Sequence, residues 1–225
     1  MASLGLYHLL FFLILQLSTG DDPIGQYCDN KSFKNNNLHV SINAVLADDL
    51  TAKASIGGFA TTSSGHGDTL LYGLAQCRGD LSAEHCSACI TNASKALPSL
   101  CPIQADERVW YDYCFMRYDT SNLVGDSDTS YALILYNVEN ATDPEEFDKE
   151  VGLLMSEVRA MAVKQENGGF GKGTSEFTPL VTIYGLAQCT RHLRPLTCAQ
   201  CLSSAVEEYF AEYCTHRKGC RVLYI

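Results

Sequence analysis

The hexapeptide Tyr72-Gly73-Leu74-Ala75-Gln76-Cys77 occurs a second time, unchanged, as Tyr184-Gly185-Leu186-Ala187-Gln188-Cys189. Cys86 and Cys89 follow the first copy as Cys198 and Cys201 follow the second, so each copy carries Cys-x8-Cys-x2-Cys. Flanking matches keep this register with slips of one residue: Gly57-Gly58-Phe59 with Gly168-Gly169-Phe170, Cys101 with Cys214, and Arg108-Val109-Trp110-Tyr111 with Arg221-Val222-Leu223-Tyr224. Such a pattern is a tandem duplication of a unit of roughly 100 residues, which is domain size. The chain is therefore expected to build one small module twice.

What the cysteines do depends on the compartment. Residues Leu9 to Leu17 are almost all apolar and give way to Ser18, Thr19 and Gly20 before Asp21. The run is shorter than the ~20 residues of a spanning helix, and it reads as a secretory signal over 1–20, removed on export. No later stretch is comparably apolar, so no stable membrane insertion is expected after removal, and the product is expected outside the cell. In an oxidising lumen the 11 cysteines are expected to become disulfides rather than reduced metal ligands. Sequons at Asn30, Asn92 and Asn140 fit the same route as candidate glycosylation sites. With 16 Lys+Arg against 26 Asp+Glu, a net charge of −10 and no basic run, nucleic acid is excluded as a partner.

Hydrophobic spacing supplies the elements. Leu38, Ile42, Val45, Leu46 and Leu50 share a helical face, as do Phe147, Val151, Leu154, Val158 and Met161. Asp143-Pro144-Glu145-Glu146 reads as the start of that second helix, with Asp143 as its cap. Another helical stripe runs through Cys86, Cys89, Ile90, Ala93 and Leu97, matched by Cys198, Cys201, Leu202, Ala205, Val206 and Tyr209. Strand-like runs are Leu70 to Ala75, Arg108 to Tyr118, Tyr131 to Val138 and Val181 to Ala187. The fold class predicted is α+β: two tandem domains, 24–120 and 131–225, each an antiparallel sheet packed with two helices, joined by a polar linker over 121–130.

Two copies of Cys-x8-Cys-x2-Cys behind a signal segment resemble the plant cysteine-rich repeat secretory proteins, built from ginkbilobin-type domains. The resemblance covers 24–225. The same domain pair forms the outer part of cysteine-rich receptor-like kinases and plasmodesmata-located proteins. Six cysteines of one unit allow many pairings; the resemblance implies Cys28–Cys101, Cys77–Cys86 and Cys89–Cys114 in the first unit and Cys189–Cys198 in the second. In the second unit Asn140 stands where the first cysteine would fall, and the last would fall beyond Ile225. Cys201, Cys214 and Cys220 then compete for one further bridge, leaving an odd thiol. The second domain is expected to lack its C-terminal strand, to have an unfilled sheet position and to be the less stable of the two.

The ginkbilobin resemblance also implies a mannose site. Its positions here are Asp29, Arg108 and Asp119, where only the Arg is retained. Asp29 lacks the donors of an amide and Asp119 is one carbon shorter than Glu, so a site that grips sugar hydroxyls is expected to weaken or change preference. The plain alternative is an ion-pair cluster on the surface, worth little. No second site of this type can be assembled around Arg221.

Other chemistry is poorly supported. The two Cys-x2-Cys pairs are far apart in sequence and no His-x3–5-His accompanies them, so no metal or other cofactor is expected. A redox role would need an exposed, electropositive thiol, whereas a third cysteine upstream offers each pair a structural partner. His39, His66, His85, His192 and His216 do not recur between the units as a shared catalytic base, and no hydrolase elbow or P-loop occurs. Alternation through Trp110, Tyr111, Tyr113, Phe115 and Tyr118 sends one face into a core and leaves the other as a candidate contact surface. The functional expectation is a secreted, non-enzymatic binding protein of the plant cell exterior, meeting an extracellular protein or a cell-wall or fungal glycan in defence or signalling. The alternatives are a mannose-binding antifungal lectin and, behind it, a thiol–disulfide redox protein.

Overall fold

The computed structural model describes residues 22–31, 38–102, 104–125 and 127–224; the expected signal segment lies outside them. In the first unit β1 (Gly25–Cys28), β2 (Phe59–Ser64), β3 (Leu71–Cys77), β4 (Asp106–Trp110) and β5 (Cys114–Asp119) form one antiparallel sheet in the order β1-β4-β5-β3-β2. Its helices are α1 (Leu38–Asn43), which runs through a π-helical stretch Ala44–Leu50 into α2 (Thr51–Gly57), and α3 (Ala83–Leu100). The Ser82 hydroxyl caps α3 by accepting from the His85 N–H at 3.3 Å, next to Glu84 in the first turn. Leu38, Ile42, Val45, Leu46 and Leu50 are all buried, together with Ile90, Ala93 and Leu97 of α3.

The predicted single strand over Arg108 to Tyr118 is instead the β4–β5 hairpin. It turns at Tyr111–Tyr113, where the Tyr111 N–H donates to the Cys114 carbonyl at 2.9 Å. No glycine or proline marks this turn, so the aromatic composition reads straight through it.

In the second unit β6 (Leu133–Tyr136) pairs with β9 (Cys220–Leu223), and β7 (Phe170–Thr178) pairs with β8 (Val181–Gln188). The helices are α4 (Pro144–Ala162) and α5 (Pro195–Ser204), which continues as a π-helical stretch over Ala205–Cys214. Asp143 does not cap α4: it has φ 53° and makes no side-chain cap bond, so Pro144 and the two glutamates carry the start. Met161 is exposed and Ala162 takes the buried position at the end of the stripe. Among the described residues β8 and β9 do not pair, and the second sheet is two ribbons rather than one.

Glycine of the repeated hexapeptide lets helix and sheet approach in both units. A Cβ on Gly73 would lie 2.3 Å from Val45 Cγ1, and one on Gly185 would lie 2.9 Å from Leu154 Cγ. The following glutamine of the same hexapeptide joins the units by reciprocal bonds. Gln76 Nε2 donates to the Cys189 carbonyl and Gln188 Nε2 to the Cys77 carbonyl, both at 2.9 Å. The Arg191 N–H donates to Gln76 Oε1 at 2.8 Å and the Gly79 N–H to Gln188 Oε1 at 3.0 Å. Each glutamine thus satisfies backbone groups of the other unit, a local two-fold relation that follows from duplication.

The aromatic face read as a candidate contact surface is packed inside this chain. Trp110 and Phe115 pack with Leu74 and Leu123, and against Tyr131, Leu133 and Leu223 of the second unit. Apolar surface left over by one module is buried by the other, so most of these aromatics pack in a core. Disulfides join Cys28–Cys101, Cys77–Cys86, Cys89–Cys114, Cys189–Cys198 and Cys214–Cys220, and Cys201 is a free thiol.

Candidate functional site

Asp29, Arg108 and Asp119 all meet one residue that the sequence reading passed over, Asp106. The Asp29 N–H donates to the Asp106 carbonyl at 3.0 Å, Asp119 lies opposite Asp106 across β4 and β5, and Arg108 grips the Asp106 carboxylate. Arg108 Nη2 lies 2.5 Å from Asp106 Oδ2 and 2.5 Å from Asp128 Oδ2, and the guanidinium stands 4.8 Å over the Tyr27 ring. Arg117 binds the same two carboxylates at 3.0 Å each and Asp119 at 2.8 Å.

This cluster is not the surface arrangement considered above. Arg108 is 1% exposed, because Tyr27 and the segment carrying Asp128 lie over it. A carboxylate removed here would leave a buried guanidinium short of a partner, which costs far more than breaking a surface pair. Burial works against charge on both sides. It acts to raise the Asp128 carboxyl, yet the Ser130 hydroxyl and N–H and the two arginines together hold it at about 2. Asp119 is raised, chiefly by burial and further by Asp106, in spite of Arg117 and the Ser121 N–H. Beside the cluster, burial pushes the Glu107 carboxyl up to about 7.

Part of the cluster opens into a cavity of about 270 Å³ between the units. Asp119, Asp128 and Arg117 line its charged side, Ser121 and Asn122 its rim, and Leu74 and Leu123 its apolar side; His192 comes from the second unit. The volume falls below the ~300–1,000 Å³ of drug-sized sites, so it suits one small polar group. Asp119, with one bond on each carboxylate oxygen, keeps free lone pairs next to an amide and a hydroxyl, which together accept and donate as a vicinal diol requires, and the leucines suit the C–H face of a sugar ring; the acceptor positions of Asp128 are taken by Ser130, Arg108 and Arg117. Arg108 does not line this cavity; its role is to fix the carboxylates. Asp29 does not line it either.

Asp106, Arg117, Asp128 and His192 were not singled out from the sequence. Alternation along β4 and β5 puts Asp106, Arg108, Arg117 and Asp119 near one another, and that signal was available; Asp128 and His192 arrive by tertiary contact alone. Among the described residues, no three His, Cys, Asp or Glu side chains are grouped as metal ligands. No helix among them is long and apolar enough to cross a membrane. Asn30 and Asn140 are exposed, whereas Asn92 is half-buried within α3.

Comparison with known proteins agrees with the duplication. The profile of the salt stress response/antifungal family matches residues 22–121 and again 136–225. Cysteine-rich repeat secretory protein 55 of Arabidopsis thaliana is 44% identical over 222 residues, spanning 95% of this chain and 84% of that protein. The antimicrobial ginkbilobin-2-like protein of Castanea crenata is 31% identical over 223 residues, spanning 96% and 91%. In three dimensions the tandem DUF26 ectodomain of the Arabidopsis thaliana cysteine-rich receptor-like protein PDLP8 superposes with a TM-score of 0.74 at 23% identity, covering 89% of this chain and 96% of that one.

Proposed function

Because the chain belongs to the salt stress response/antifungal family, we propose that it is a secreted, non-enzymatic recognition protein of the plant cell exterior. It acts in defence or signalling by binding a single glycan residue in the cavity between its two units. One observation carries this reading: Asp119 is held by Arg117 at the wall of a small polar cavity, so its free acceptors are set before any ligand arrives.

The mannose reading built on Asp29, Arg108 and Asp119 has less support. Arg108 is spent on Asp106 and Asp128 and has no surface left to offer a sugar. The defence assignment rests on relatives, one of which is described as antimicrobial.

A glycan array probed with the glycosylated full chain tests the proposal, with Asp119→Asn and Asn122→Ala alongside. Binding to a defined sugar class is expected, weakened at least tenfold by either substitution, with the melting temperature holding in Asn122→Ala and falling in Asp119→Asn, which takes a partner from Arg117. Array signals that both variants reproduce at full strength would place recognition elsewhere.

A further inference from the structure

In the second unit the ladder fixes which backbone groups of β7 are used. The Cys189 N–H donates to the Gly169 carbonyl at 2.8 Å, and the register runs without a slip from Phe170 opposite Gln188 to Glu176 opposite Thr182. Antiparallel pairing alternates residues that exchange both bonds with residues that exchange none. Gly171, Gly173 and Ser175 therefore turn their N–H and C=O groups to β8, and Lys172, Thr174 and Glu176 turn theirs the other way. On that other side β7 pairs with no strand among the described residues. An open edge of this length is a template for one more strand.

The side chains at this edge are self-complementary. Lys172, Thr174 and Glu176 are exposed on one face of the ribbon, evenly spaced about Thr174. If β7 meets β7 of a second copy with Thr174 opposite Thr174, each Lys172 lies opposite the other copy's Glu176, on the same face. All of these pairs exchange both backbone bonds, because they join the residues whose groups point outward. A register centred on Lys172 would set that charge against itself. Glu176 makes no ion pair among the described residues. Lys172 Nζ stands 3.4 Å from Asp80 Oδ2 with its side chain 59% exposed, so the ammonium keeps donors for a second carboxylate. Under the other face lies α4, whose Glu150 accepts from the Ser175 hydroxyl at 3.1 Å. Leu153 and Met161 share that flank of the helix and are 56% and 39% exposed. Glu157 stands between them, so the strands hold such a seam and the helices add a smaller part. The equivalent edge of the first unit, β2, turns Phe59, Thr61 and Ser63 outward and offers no charge.

We propose that β7 is a dimer edge: two copies of this chain pair their β7 strands about a two-fold axis at Thr174, giving a continuous sheet β8-β7-β7-β8 with both α4 helices on one face. A two-fold contact uses the same patch on both copies and needs a pattern that complements itself. The β7 edge has that pattern in Lys172 and Glu176, and β2 lacks it. The contact is small and largely polar, which places its Kd at about 10 µM. On the glycan reading above, a dimer presents two cavities and meets a polymeric glycan bivalently; the pairing itself does not depend on that reading.

The test is sedimentation velocity of the glycosylated full chain over a concentration series, with amide exchange read at its two ends. Expected is a monomer–dimer equilibrium and, at high concentration, slower exchange at the Lys172, Thr174 and Glu176 amides with no change at Thr61 and Ser63. Thr174→Pro removes an N–H that β8 does not use. It should weaken the dimer by about tenfold or more, through two lost bonds, while the melting temperature holds. Lys172→Glu and Glu176→Lys should each sediment as monomers, and their equimolar mixture should recover the dimer, as should the chain carrying both substitutions. A chain that stays monomeric at every concentration would overturn the proposal and leave the two charges as guards of an open edge. So would a dimer that Thr174→Pro leaves intact, or protection confined to β2. No readout here involves a sugar, so this proposal and the glycan reading fail separately.

Discussion

Glu107 should make the first unit lose stability as pH rises, in a window set by its surroundings. Its side chain is fully buried; one carboxylate oxygen accepts from the Gln104 N–H at 3.3 Å, and the Tyr118 hydroxyl and Gln104 together only partly offset the burial. Burial raises its pKa from 4.5 to about 7. Between those values the folded chain binds more protons than the unfolded one, so stability is fully present below about 4.5 and is lost as pH climbs through about 7. A rise of ~2.5 units at ~1.4 kcal/mol each gives a loss of about 3.5 kcal/mol. For a domain of this size that is on the order of 15 °C in melting temperature. Glu107→Gln keeps the shape and the Gln104 contact but cannot ionise. Thermal melts of both proteins from pH 4 to pH 8, followed by circular dichroism, should show the native curve falling more steeply than the Gln curve through this window. Parallel curves would refute the reasoning, since every other titrating group is common to both. Asp119, also raised, adds a drop of the same sign. Asp128, held at about 2, contributes the opposite way: its stabilisation is present above its ordinary 3.8 and disappears as pH falls through about 2.

Asp106→Ala leaves Arg108 and Arg117, both buried, short of their shared carboxylate, and should cost about 3–5 kcal/mol in denaturant unfolding; a loss under about 1 kcal/mol would show that the cluster relaxes freely. Gln76→Ala and Gln188→Ala each remove two bonds between the units, about 1–3 kcal/mol each, and a double-mutant cycle should show coupling between them. Gly73→Ala forces a methyl group onto Val45 and should cost about 1–3 kcal/mol, more than Gly185→Ala, whose nearest contact is the more adaptable Leu154. In calorimetry the second unit, with its split sheet, should melt first; a single transition shared by both units would show that the contacts between them dominate.

Duplication and the identity of most core positions were legible in the sequence because they depend on periodicity and composition, which are local. Leu38 to Leu50 and the stripe of α3 landed in the core as their spacing required. The β4–β5 turn was hidden because its residues have good strand propensity, and only pairing in space reveals the reversal.

The candidate site is the part that sequence could not supply. Arg108 was visible as a residue, but whether it faces solvent depends on what lies above it, and that is Tyr27 from β1 and Asp128 from the linker. The same holds for Trp110 and Phe115, whose outer face is covered by the other unit. Sequence determined which residues the helical stripes of each module turn inward and how many cysteines each module holds. Tertiary structure decided which carboxylates keep water and which are enclosed, because burial is set by segments distant in the chain and no spacing rule encodes their meeting.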